Sequence, residues 1–103
     1  MHAVIFVTAP DKKQAKQIAN KLIKTKLAAC VNIIPGVESL FSWKGKIDSA
    51  KELLLIIKSE KSKLPRIIKT VKSLHSYEVP EIIALPIVAG NKEYLRWIDE
   101  CTR

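Results

Sequence analysis

Apolar residues along this chain follow two periods, and the switches between them outline the elements. Residues 3–7 are an apolar run that predicts a first strand. Asp11 then predicts a helix N-cap, with Gln14 three residues on to complete a capping box. Ala15, Ile18, Ala19, Leu22 and Ile23 recur at helical spacing, and this helix should end near Thr25 or Lys26. Residues 28–43 predict a long second strand with a bulge or bend at Pro35-Gly36. Beyond the bulge, Val37, Ser39, Phe41 and Trp43 fall on one side. Lys44-Gly45 predicts a tight hairpin turn, with glycine supplying a positive φ. The third strand is expected over residues 46–58 and contains Leu53-Leu54-Leu55-Ile56-Ile57. That run is too short for an independent helix and predicts a strand buried on both faces. Ser62 predicts the N-cap of a second helix, Pro65 sits in its first turn, and Leu64, Ile67, Ile68, Val71 and Leu74 form its stripe. A loop over 75–80, a fourth strand over 81–88 and a short last helix follow. That helix is capped by Asn91, with Tyr94, Trp97, Ile98 and Cys101 along one side.

Strand-helix-strand therefore occurs twice, with a terminal helix added. Right-handed crossovers turn this order into an α+β, ferredoxin-like βαββαβ sandwich with an additional C-terminal helix, as a single domain over 1–103. Proline supports the strand order. Pro35 and Pro86 suit edge strands, so strands one and three belong in the middle. Both middle strands are apolar almost throughout, yet two helices cover only one sheet face. An uncovered second face forgoes ~1.5–3 kcal/mol for each large apolar side chain. A closed homo-oligomer with this face inward is the expected solution, and the long second strand offers an edge to a neighbour.

The composition narrows the class. With 48% hydrophobic residues the chain is globular. No apolar run reaches membrane-spanning length, and the first residues lack the features of a signal peptide, so a cytoplasmic protein with no membrane partner is expected. The net charge is +8, from 18 Lys+Arg against 10 Asp+Glu. Lys12, Lys13, Lys16, Lys21 and Lys24 populate the first helix, and Lys63, Arg66, Lys69 and Lys72 recur every third residue on the second. Such faces are usually solvated surface, and no nucleic-acid partner is expected from them. Cys30 and Cys101 are expected to be buried reduced thiols; a copper-ligand role is the alternative.

His75, Tyr77, Glu78 and Glu81 share one loop, where imidazole, phenol and carboxylate suit a divalent metal or a small polar ligand. A histidine after a helix also commonly bonds its last carbonyls, and on this loop alone that structural reading is preferred. Glu52 and Lys58 bracket the third strand on one face, and Trp43 stands at the hairpin tip. They are either end-of-strand charges or parts of a polar pocket walled by aromatics at a subunit junction. Other chemistries of this architecture are absent. The loop Thr8-Ala9-Pro10-Asp11 has no Cys-x-x-Cys pair and no phosphate-gripping arginine, and the third strand has no aromatic to stack a base.

The segments Ala28-Ala29-Cys30-Val31-Asn32-Ile33-Ile34-Pro35-Gly36-Val37, Trp43-Lys44-Gly45-Lys46-Ile47, Ile57-Lys58, His75-Ser76-Tyr77-Glu78-Val79-Pro80-Glu81, Tyr94-Leu95 and Trp97-Ile98 closely resemble the CutA divalent-cation tolerance proteins, in the right order over the whole chain. The resemblance implies a ferredoxin-like homotrimer, similar in design to the PII signalling proteins. It also implies a link to tolerance of divalent metals, copper above all, with no defined catalytic activity and no obligatory cofactor. The expected ligand-binding residues are Trp43, Glu52, Lys58, His75, Tyr77 and Glu81, and the expected metal residue is His75. Two departures stand out. Ser76 replaces the proline of the usual His-Pro-Tyr, which should loosen the approach to Tyr77. Phe41 replaces a tyrosine and deletes a hydroxyl. Copper ligation in some members is assigned to three positions that here hold Val7, Leu74 and His75, of which only His75 can ligate.

Overall fold

A computed structural model describes residues 1–103. Its centre is an antiparallel pair, β1 (His2–Ala9) and β3 (Lys46–Glu60), with β2 (Cys30–Trp43) outside β3 and β4 (Ile82–Pro86) outside β1. The sheet order β2-β3-β1-β4 places both proline-containing strands at the edges, as expected for residues that cannot complete a central ladder. Helices α1 (Lys12–Lys24) and α2 (Leu64–Leu74) supply the crossovers, and α3 (Lys92–Thr102) follows β4. This α+β arrangement is ferredoxin-like, with one helix added.

One face of the sheet and the two crossover helices enclose the core. Ile5 and Val7 of β1, Leu55 and Ile57 of β3, Ile18 and Leu22 of α1, and Ile67 and Val71 of α2 are all fully buried. The α1 stripe is narrower than its sequence predicts. Ala19 is only half-buried, and Ile23 faces solvent at 42% exposure. After Thr25 the chain reverses through Lys26 (φ 59), and the Leu27 and Ala28 N–H groups both donate to the Leu22 carbonyl. This αL reversal carries Leu27 down into the core.

Asp11 caps α1 as expected, its Oδ1 accepting from the Gln14 N–H at 2.8 Å. The capping box is only half made, because the Gln14 side chain turns elsewhere. Ser62 does not cap α2. A 3-10 turn, Lys61–Lys63, precedes the helix, no side chain caps it, and Pro65 occupies the first turn where its missing N–H costs nothing. β4 is shorter than predicted, stopping at Pro86, although the Ile87 N–H still reaches the His2 carbonyl at 3.0 Å. In α3 the Asn91 cap holds, accepting from the Glu93 N–H at 3.0 Å. There the buried positions are Ile98 and Thr102, while Tyr94 and Trp97 stay substantially exposed and pack on each other at 5.4 Å between centroids. Cys30 and Cys101 are free and half-buried rather than fully buried.

The other sheet face is apolar too. β1 pairs with β3 so that Phe6 lies opposite Ile56, and with β4 so that Phe6 lies opposite Ile83 and Val4 opposite Leu85. The tip of α3 covers one end of this face, where Asp99 meets His2. Val4, Phe6, Leu54 and Ile56 remain only half-buried, and Ile83 and Leu85 are each 54% exposed.

At the end of β1 the β2–β3 hairpin continues alone as an arm, and the molecule extends 45 Å along its longest axis against 25 and 23 Å across. Ile34 pairs with Leu54, and Val37 then pairs with Glu52, so Pro35-Gly36 form the expected bulge, with Gly36 at φ 80. The turn at Lys44-Gly45 has φ 51 and 76, the two positive values of a tight hairpin.

Leu55→Ala should remove ~2–5 kcal/mol from the unfolding free energy in urea titrations, since Leu55 is fully enclosed between sheet and helices. Ile23→Ala, at an exposed site on α1, should change it by less than about 0.5 kcal/mol.

Candidate functional site

The bulge decides what faces the cleft. Before it, Ile34 shares a face with Leu54; after it, Val37, Ser39, Phe41 and Trp43 pair with Glu52, Ala50, Asp48 and Lys46. One inserted residue therefore turns the distal aromatics onto the same face as Glu52. Thr8, which pairs with Leu54, lies on that face as well. The loop after α2 crosses beside it. Arm and loop bound a cleft of about 810 Å³ whose lining includes Phe41, Trp43, Asp48, Glu52, Tyr77, Glu78 and Glu81.

Four carboxylates line this cleft and no Lys, Arg or His does, although the chain carries +8. Glu52 is the deepest of them at 8% exposure, and its Oε2 accepts the Tyr77 hydroxyl at 2.9 Å. The Tyr77 phenol is pushed up to about 12, first by burial, then by the hydrogen bond and negative charge of Glu52, with Asp11 adding a little. Trp43 is largely exposed at the rim, and Lys44 Nζ stands 5.8 Å from its ring centroid. Phe41 forms apolar wall without a hydroxyl.

His75 does not line the cleft. It is buried at 8% exposure, and both ring nitrogens are engaged. Nδ1 accepts the Tyr77 N–H at 3.0 Å, so Nε2 carries the proton and donates to the Thr8 carbonyl at 2.7 Å. Its ring also packs on Tyr77, 4.7 Å between centroids. Direct metal ligation by His75, the expected role, requires breaking one of these bonds. What the histidine does here is fasten the loop to the end of β1 and aim Tyr77 at Glu52.

Lys58 shares a sheet face with Glu52, but six residues of strand separate them, about 20 Å at 3.3 Å per residue. Its Nζ contacts Asn32 Oδ1 and lies 3.7 Å from Cys30 Sγ, outside this cleft. Of the expected ligand residues, then, Trp43, Glu52, Tyr77 and Glu81 line the cleft, His75 stands directly behind Tyr77, and Lys58 lies apart. Asp48 was not expected; its signal is its even spacing from Glu52 along β3, which puts both on one face. Ser76, expected to loosen the approach to Tyr77, has its backbone engaged. Its N–H donates to Gln14 Oε1 at 2.9 Å, a bond that proline has no N–H to make, and this is where the Gln14 side chain goes. No three metal-ligating groups of the cleft come within coordination reach of one another.

Residues 3–101 match the model of the CutA1 divalent ion tolerance protein family. The chain belongs to this family. It is similar to the divalent cation tolerance protein (Cut A1) of Thermus thermophilus, whose solved structure superposes with a TM-score of 0.98 at 46% identity over the whole of both chains. It is equally similar to the structure described as the periplasmic divalent cation tolerance protein CutA of Archaeoglobus fulgidus, with a TM-score of 0.97 at 47% identity and full coverage of both. A chloroplastic CutA protein of Arabidopsis thaliana is 48% identical over 100 residues, which cover 97% of this chain and 55% of the plant protein. The chain thus spans about half the length of that curated relative. No helix of the chain is long and apolar enough to cross a membrane.

Tyr77→Phe leaves buried Glu52 without its donor and should cost ~1–3 kcal/mol of stability at neutral pH. The raised phenol pKa gives a second readout. A group that holds its proton more tightly when folded contributes fully below pH 10.0 and loses that contribution as pH climbs towards about 12. Urea unfolding across that window should show a decline in the parent that is shallower in Tyr77→Phe.

Proposed function

We propose that the chain acts as a homotrimer of PII-like design that binds a divalent metal ion such as copper, or a small ligand, at clefts between subunits, without catalysis and without an obligatory cofactor. The observation that carries this reading is the cleft's composition: carboxylates and aromatics, with no cation, in a strongly basic chain. A cationic ligand gains from Glu52 and Glu81, whereas an anion is repelled. The donors are oxygens, which suit a hard or borderline divalent ion or an organic ammonium. Membership of a divalent ion tolerance family agrees with a cationic ligand.

The apolar face supports the assembly. Phe6, Ile83 and Leu85 form one row across the two strands nearest the β4 edge, and a second and third copy bury them together. His75 is read as a positioning residue for Tyr77, and Lys58 as a group that serves the junction rather than the cleft of its own subunit. A scaffold without a metal site of its own is the second reading, and the engagement of both His75 nitrogens favours it. The cytoplasmic expectation is set against relatives described as chloroplastic and periplasmic; fractionation of the native cells decides it.

Sedimentation should give a trimer for the parent and smaller species for Ile83→Glu, which sets a charge in the apolar row. Calorimetric titration with cupric ion should show binding that weakens by about tenfold in a Glu52→Gln, Glu81→Gln double variant and changes little in Lys58→Met. Cupric affinity equal in parent and double variant would assign the clefts to scaffolding.

A further inference from the structure

A second group of ligating side chains lies away from the cleft. His2 on β1 and Glu60 on β3 are direct partners across the central ladder, and Asp99 of α3 descends on them from the second sheet face. One ligating atom from each of the three lies within 4.8 Å of the others. We propose that His2, Glu60 and Asp99 form a binding site for a divalent first-row transition-metal ion such as zinc or nickel. The proposal does not rest on the cleft reading, and none of these residues lines the cleft.

The donor set is one imidazole and two carboxylates, the mixture that borderline divalent ions take. His2 Nε2 faces Asp99 Oδ1 at 2.8 Å. Bond lengths near 2.1 Å place tetrahedral neighbours about 3.4 Å apart, so the ion needs this pair to open by about 0.6 Å and Glu60 to swing inwards. It takes the place of the proton between nitrogen and oxygen, and the neutral imidazole keeps its remaining proton on Nδ1. Backbone bonds hold two of the ligands' segments in advance. The His2 carbonyl accepts the Ile87 N–H at 3.0 Å, and the Lys61 N–H, next to Glu60, donates to the Met1 carbonyl at 2.7 Å.

Two carboxylates this close repel each other, and a divalent ion between them relieves that repulsion. Neither Glu60 nor Asp99 pairs with a lysine or arginine. Asp99 meets only His2, and Glu60 is ion-paired with the terminal ammonium of Met1 at 2.8 Å through Oε1 and 3.4 Å through Oε2, a cation that an incoming metal ion must displace. The site leaves one or two coordination positions for water, so it is a binding site rather than a closed structural one.

The test is calorimetric titration of the full chain with zinc chloride, using the parent, His2→Gln, Asp99→Asn and the Glu52→Gln, Glu81→Gln cleft variant. The parent should take one zinc per chain at this site. His2→Gln and Asp99→Asn should each weaken zinc binding at this site by about tenfold or more, and the cleft variant should keep this site whatever zinc the cleft itself loses. Nitrogen NMR of the parent should show the His2 Nε2 resonance shifting on saturation with zinc, a readout independent of whether either variant folds. An unmoved His2 resonance, or zinc affinity within about twofold of the parent in a folded His2→Gln, overturns the site. Zinc binding lost only in the cleft variant also overturns it while leaving the cleft reading standing.

Discussion

Two strands that are greasy on both sides set the terms for everything else. β1 and β3 send Ile5, Val7, Leu55 and Ile57 into the helical layer, and Val4, Phe6, Leu54 and Ile56 the other way. A half-solvated antiparallel sheet alternates apolar with polar, and this one does not. The helices α1 and α2 cover the first face, and α3 covers only an end of the second. The remaining surface, with Ile83 and Leu85 exposed, is one that a lone protomer gains nothing by leaving in water. The proposed assembly follows from this imbalance, and so does the placing of the cleft, which opens on the same side.

Behind the cleft the polar groups form a supported chain rather than a scatter. Gln14 holds Ser76, Thr8 holds His75, His75 holds the Tyr77 backbone, and Tyr77 holds Glu52. Every buried side-chain nitrogen and oxygen of the molecule has a partner, so none is left to serve as a spare ligand. The exposed carboxylates of Glu78, Glu81 and Asp48 are what remains free to meet a ligand, with Glu52 behind them held by a hydroxyl.

The sequence made the fold readable because its signals agreed with one another. Apolar period, capping Asp11, edge prolines and the glycine turn all pointed to the same arrangement, and small differences arose where local chemistry had rivals. Ser62 lost its capping role because the chain winds a tighter turn before α2. Gln14 left its capping box because its Oε1 is taken by the Ser76 N–H across the fold. Ile23 and Trp97 show the limit of periodicity, which marks a face without saying how wide it is. The site was only partly legible. Tyr77, Glu52, Trp43 and Glu81 were within reach of motif and alternation. The engagement of His75 and the distance of Lys58 were not, because they depend on which loop crosses which strand end. The approach of Asp99 to His2 joins residues 97 apart in the chain and left no local trace.

The extra residue at Pro35-Gly36 has a further consequence. It fixes a parity: each residue of the arm beyond it looks to one side or the other by odd or even count. If the bulge flattened with both residues kept, the ladder would slip by one, Val37 would meet Lys51, and Phe41 and Trp43 would turn to the opposite surface and empty one wall of the cleft. Deleting one of the two residues instead removes only the bulge, because Phe41 still meets Asp48 across an unbroken β3, so this arm is more sensitive to slippage than to a shortening of β2 at that point.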